Sequence, residues 1–233
     1  MKSLQDSFKS PLCRGQRHGA SLGLWVDGLC IISMGSIMPG ARRRTKGRRA
    51  VFLDRDGVLM RYVPHLHKRD QVALLRGAAG AVSRLRRAGF RVVVVTNQSV
   101  VARGYATLAE LGAIHRRLRA ELRSRGAVLD AIYFCPHHPR AGTRERCRCR
   151  KPATGLIDSA VRRFRLDVER CYLIGDSTRD VRTARNAGCR AILVRTGLGG
   201  RDGQYKAKPD AVCRDLAAAA AWVLKRSRTA PGE

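Results

Sequence analysis

From Ala50 onward, short apolar runs alternate with longer amphipathic segments. AVFL (50–53), RVVVV (91–95), AIYF (131–134), CYLI (171–174) and AILV (191–194) are unbroken hydrophobic stretches of strand length, the pattern of strands covered on both faces. Between them, residues 77–88, 107–125, 154–164 and 179–187 repeat apolar positions every three or four residues and predict helices, and 215–225 predicts a closing one. The alternation predicts an α/β fold, a Rossmann-like doubly wound parallel sheet with helices on both faces. Ligands of such sheets bind beyond the carboxyl ends of the strands, so the residues following each run are the first candidates for chemistry.

Residues 1–49 break this pattern, with few periodic apolar positions, several glycines and the basic run ARRRTKGRR. They predict a disordered leader, followed by one domain over 50–226 and a short tail over 227–233. Residues 20–40 are moderately apolar behind Lys2, Lys9, Arg14 and Arg17, a faint outline of a signal peptide that Asp27 and the glycines interrupt. No stretch has the unbroken apolar length of a membrane span, and Met38 is an expected alternative translation start.

Charge and cysteine usage refine the picture. Forty-seven basic residues against eighteen acidic give a formal charge of +29, which raises the question of a nucleic-acid partner. Only eight of the basic residues are lysines, and the arginines are scattered along the chain rather than gathered in a stripe. That reads as compositional bias compatible with small anionic substrates, with nucleic acid not the expected partner. Three of the eight cysteines fall within CPHHPRAGTRERCRC, a clustering that favours metal over disulfides and implies a reducing, cytoplasmic setting. Cys13, Cys30, Cys171, Cys189 and Cys213 are isolated and read as buried or incidental thiols.

Chemistry collects at the strand ends. Asp54-Arg55-Asp56-Gly57 follows the first run and can aim two carboxylates at one pocket, one to attack phosphorus, the other to protonate a leaving group and activate water. Thr96 and Asn97 follow the second run with a hydroxyl and an amide for phosphoryl oxygens, and Lys151 in CRKP supplies a point charge. Asp176 and Asp180 follow the fourth run and offer carboxylates to a hard cation and its surroundings. Each feature alone reads better as an ordinary turn or capped loop; their order along the chain, each at a strand end, distinguishes the set. Cys135-x-His137, nine residues, then Cys147-x-Cys149 supply three thiolates and an imidazole, a closed tetrahedral zinc set in which His138 is a competing imidazole.

VFLDRDGVL, VVVVTNQS, the lysine of CRKP and IGDSTRDVRTARNAG resemble, in order, the four motifs of the haloacid dehalogenase (HAD) superfamily of phosphohydrolases, over residues 50–191. The resemblance implies Asp54 as nucleophile, Asp56 as general acid and base, and Thr96 and Lys151 as holders of the phosphoryl group. It also implies Mg²⁺ bound by Asp54, the Asp56 carbonyl and Asp176, with Asp180 behind. The CxH…CxC stretch resembles a zinc-loop subfamily in which the first histidine is the ligand. That implies structural Zn²⁺ on Cys135, His137, Cys147 and Cys149, and places Arg150 and Lys151 at the pocket mouth. TNQSVVARGY and RYVPHL are similar to segments of the branch acting on a heptose bisphosphate, except at Val100, where that branch has glycine. The implied partner is a small phosphorylated metabolite, a sugar bisphosphate first; the only sizeable insertions, 60–71 and 126–150, leave room for no more than a minimal cap, and a monomer is expected. Histidinol phosphate or another small metabolite is the alternative substrate, and a polynucleotide 3′-phosphatase or zinc-stabilised nucleic-acid binder the alternative class. His65 and His67 flank the expected pocket and read as exposed loop residues.

Overall fold

The computed structural model describes residues 24–26, 29–31, 47–141 and 147–229. Most of the leader expected to be disordered, the loop 142–146 and the last residues of the tail lie outside the described residues. Within the leader, β1 (Leu24–Val26) and β2 (Leu29–Ile31) pair antiparallel, a short hairpin that the sequence pattern does not predict.

The remaining strands form one six-stranded parallel sheet. β3 (Ala50–Leu53), β4 (Arg91–Asn97), β5 (Ala131–Cys135), β6 (Tyr172–Gly175), β7 (Arg190–Val194) and β8 (Ala211–Cys213) are arranged in the order β5-β4-β3-β6-β7-β8. The first five coincide with the five apolar runs. β8 is not predicted, because its apolar run, Ala211-Val212-Cys213, is only three residues long and partly exposed at a sheet edge.

Helices α1 (Ala78–Arg87), α2 (Leu108–Arg123), α3 (Gly155–Phe164), α4 (Thr178–Ala187) and α5 (Leu216–Thr229) cover the sheet. Alternate residues of each strand divide the core in two. Val51, Leu53, Val92 and Val94 pack with α1, α2 and α5, while Phe52, Val93, Val95 and Leu173 pack with α3 and α4. Burial on both faces is what an unbroken apolar strand requires. The chain reverses direction across the sheet at β3, whose neighbours β4 and β6 lead outward on opposite sides, so a crevice opens at their carboxyl ends. Among the described residues no helix is long and apolar enough to cross a membrane.

Candidate active site

Asp54 stands one residue beyond β3, its amide donating to the Ile174 carbonyl at 3.0 Å, so strand pairing with β6 fixes the nucleophile candidate. Its Oδ1 accepts from the Arg55 amide at 2.7 Å and lies 3.0 Å from Lys151 Nζ. That ammonium, buried together with Asp180, also lies 2.6 Å from Asp180 Oδ1. Asp180 is held by Ser177, the N-cap of α4, whose amide and hydroxyl donate to Oδ2 at 3.2 and 2.6 Å. A capping box has thus become the rear wall of the site. Burial opposes the ammonium of Lys151, but the charges of Asp180 and Asp54 outweigh it and raise its pKa.

Asp176, directly after β6, is buried beside Asp54. Its Oδ2 accepts from the Leu198 amide at 2.7 Å, and its carbonyl from the Gly200 amide at 2.7 Å. Gly57 and Gly197 make this approach possible: both have positive φ (76° and 60°), and a Cβ on either would collide with Asp176 Oδ2. Burial, assisted by the neighbouring Asp54 charge, pushes Asp176 up to about 8. Burial pushes Asp54 up to about 6 against the pull of Lys151, with Asp180 and Asp56 adding to the rise. Two desolvated carboxylates that repel one another need a cation between them. Carboxylate oxygens of Asp54, Asp176 and Asp180 all lie within 4.8 Å of one another. With Asp180 committed to Lys151 and Ser177, Asp54 and Asp176 fit Mg²⁺, which takes few protein carboxylates and keeps room for substrate oxygens.

Asp56 lines the same cleft and is held by a different set of groups. Arg55 Nε and Nη2 contact its carboxylate at 2.9–3.1 Å, and Gln98 Nε2 donates to Oδ2 at 3.0 Å. Gln98 also donates to Thr96 Oγ1 at 2.9 Å. Asn97 has a structural partner that the sequence does not show. Its Nδ2 donates to the Lys151 carbonyl at 3.1 Å and its Oδ1 accepts the Lys151 amide at 3.0 Å, so it clamps the lysine's backbone while lining the cleft with one N–H to spare.

The second cluster adjoins the first through residues 147–151. Cys135 Sγ lies 3.6 Å from His137 Nδ1 and 3.6 Å from Cys147 Sγ, and His137 Nδ1 lies 3.3 Å from Cys149 Sγ. Tetrahedral zinc, with bonds near 2.3 Å to sulfur and about 2.0–2.1 Å to nitrogen, separates its ligand atoms by roughly 3.5–3.8 Å, so the four fit it. The hydrogen bond from Cys135 pulls the Cys149 thiol down to about 5 against the effect of burial, while the same bond and burial raise Cys135. His138 is excluded as a ligand because its Nε2 lies 2.8 Å from Arg103 Nη2 and its Nδ1 accepts from the Arg140 amide. Arg150 Nη1 donates to the His137 carbonyl at 2.8 Å, which sets this arginine at the mouth of the crevice.

The resulting cleft has a volume of about 390 Å³ and adjoins a basin of about 940 Å³ on the zinc-loop side. Arg150, Lys151, Arg179, Gln204 and Ser99 border both. His65 lines the cleft in a left-handed conformation, φ 53°, its ring edge-on to Tyr105 at 5.3 Å; the His67 ring lies 6.4 Å from that of Tyr105. Val100 is buried and absent from the positive-φ positions, so glycine is not required there. Three participants escape the motif reading: Gln98, the loop carrying Gly197 and Leu198, and His115, whose signal is a polar residue inside the apolar stripe of α2.

A doubly wound sheet that carries Asp54 after its first central strand, with the Lys151 ammonium and the Asp176 carboxylate beside it, is the arrangement of a HAD-like phosphohydrolase. The HAD-hydrolase-like family model matches residues 148–219. The chain is 43% identical over 187 residues to the D-glycero-D-manno-heptose-1,7-bisphosphate 7-phosphatase of Thermosynechococcus vestitus, covering 76% of this chain and 95% of that protein. The crystal structure of D,D-heptose 1,7-bisphosphate phosphatase from B. bronchiseptica, complexed with magnesium and phosphate, superposes with a TM-score of 0.69 at 39% identity over 77% of this chain and 99% of that one. The corresponding Burkholderia thailandensis structure gives 0.58 at 30% identity, over 76% and 99%. The chain belongs to this family of HAD-like phosphatases.

Proposed function

We propose that the protein removes the 7-phosphate of a D-glycero-D-manno-heptose 1,7-bisphosphate through an aspartyl phosphate on Asp54. The observation that carries the chemistry is the convergence of Asp54, Asp176 and Lys151 at one strand end. Asp54 attacks phosphorus in line as the ester P–O bond breaks, and Asp56 gives its proton to the departing alkoxide. Asp56 then takes a proton from water, whose oxygen attacks the same phosphorus, releasing inorganic phosphate and the Asp54 carboxylate. Lys151 and Thr96 hold the phosphoryl oxygens. Mg²⁺ on Asp54, the Asp56 carbonyl and Asp176 supplies the positive charge that lets two anions meet. Zn²⁺ on Cys135, His137, Cys147 and Cys149 stabilises the loop that presents Arg150.

The substrate reading is supported by what the relatives' names say they act on, and by the basic basin beside the cleft. Arg103, Arg140, Arg150 and Arg179 line it, suiting a second phosphate on the same sugar. A cytoplasmic location fits six free cysteines among the described residues, three of them gathered in the zinc set. The test is phosphate release from the heptose bisphosphate and from histidinol phosphate, compared as kcat/KM with Mg²⁺ present. We expect a preference of at least about 100-fold for the bisphosphate, the worth of one well-placed charged contact. A preference for histidinol phosphate overturns the substrate.

A further inference from the structure

We propose that His115, on α2 and outside the cleft, is a positioning residue that holds Asp56 in place through the buried guanidinium of Arg55. The inference rests on the role of Asp56 as general acid and base given above.

Arg55 is 1% exposed, a charged side chain fully inside the protein. Such a group must have its N–H donors paired, and its pairing shows what it does. Nε and Nη2 form the fork on the Asp56 carboxylate, while Nη1 lies 3.3 Å from His115 Nε2. Guanidinium nitrogens only donate, so His115 Nε2 must be the acceptor and the ring neutral. Its surroundings enforce that state: burial first, then the Arg55 charge, lower its pKa well below the ordinary imidazole value. Phe134 of β5 packs against the ring, with centroids 5.3 Å apart, and fixes its plane.

The guanidinium is planar, so an acceptor on Nη1 orients the whole fork. Without it, Arg55 can turn about its last bonds and carry Asp56 with it. Gln98 alone would then hold the carboxylate at one oxygen. A polar residue in the apolar stripe of α2, among Leu111, Ile114, Leu118 and Leu122, therefore has a task beyond filling the core.

The experiment compares two esters differing in their need for a general acid. Heptose bisphosphate expels a poor alkoxide, whereas p-nitrophenyl phosphate expels a phenolate that leaves without protonation. H115L removes the acceptor. It should lower kcat on the bisphosphate by about 10- to 100-fold, the cost of a small misplacement, with KM and the Mg²⁺ requirement unchanged and the rate of the p-nitrophenolate burst, which precedes the water attack that needs Asp56 for either ester, altered less than about twofold. H115Q, which restores an acceptor oxygen, should recover most of kcat. H115F keeps a ring against Phe134 and replaces H115L if that variant fails to fold. Equal losses on both esters, or an unchanged kcat, overturn the positioning role. D56N is the control: if it lacks the leaving-group dependence, the assignment of Asp56 fails, whereas dependence in D56N without any in H115L sinks only the link through Arg55.

Discussion

Lys151 Nζ lies 2.6 Å from Asp180 Oδ1, and neither side chain is more than 2% exposed. The pair joins a loop beside the zinc cluster to the first turn of α4, so it is a structural tie as well as a charge holder for phosphate. D180N leaves the ammonium buried with Asp54 as its only full counter-charge. Breaking a buried pair in this way costs about 3 kcal/mol or more, which lowers Tm by about 6–12 °C in a domain of this size. Thermal unfolding should register that loss, and activity in the folded protein should fall as well, because Lys151 would shift toward Asp54. A variant with wild-type Tm contradicts the tie.

Gly197 carries a different kind of constraint. At φ 60°, with its missing Cβ directed at Asp176 Oδ2, it lets the loop after β7 close on the proposed metal ligand. G197A should displace Asp176 or break the hydrogen bond from Leu198, raising the Mg²⁺ concentration for half-maximal activity by about tenfold or more, equivalent to about 1.4 kcal/mol. Magnesium titration of initial rates checks this, and an unchanged midpoint would show that the loop adapts.

These two cases separate what was legible in the sequence from what was not. The strands were legible because burial on both faces leaves no polar position in AVFL or RVVVV, and the carboxylates were legible because strand ends concentrate them. Loop 196–205 reads only as a glycine-rich turn: its contribution is main-chain amides, which carry no residue signature until the fold sets them on Asp176. The clamp that Asn97 makes is hidden for a related reason: the backbone of Lys151 lies 54 residues away, and no local pattern reports such a contact. β8 is three partly exposed residues, too short for periodicity to register.

Zinc should govern stability rather than chemistry. The four ligand atoms come from the end of β5 and from the segment leading to Lys151, two stretches that the metal would fasten together. C147S, or chelation strong enough to strip zinc, should lower Tm markedly, by about 2–4 °C for each kcal/mol of binding energy lost. Hydrolysis by the fraction still folded should retain its Mg²⁺ dependence. Metal analysis giving well below one zinc per chain in the native protein would refute the site.

His115 also predicts how stability responds to acid. Its pKa in the folded protein is depressed well below the unfolded value of about 6.5, so between the two values the unfolded chain binds a proton that the native state refuses. The contribution is therefore fully present above about pH 6.5 and is lost as pH falls, by up to about 1.4 kcal/mol per pH unit. Buried carboxylates such as Asp54 and Asp176, with raised pKa values, act in the opposite sense, which is why the measurement must be a difference. Urea unfolding of wild type and H115Q at pH 7 and pH 5 supplies it. The wild type should lose more stability than the variant between those two conditions, because only the wild type has an imidazole to protonate at this position. An equal loss in both would mean that His115 titrates normally in the fold, and hence that Arg55 does not depend on its lone pair.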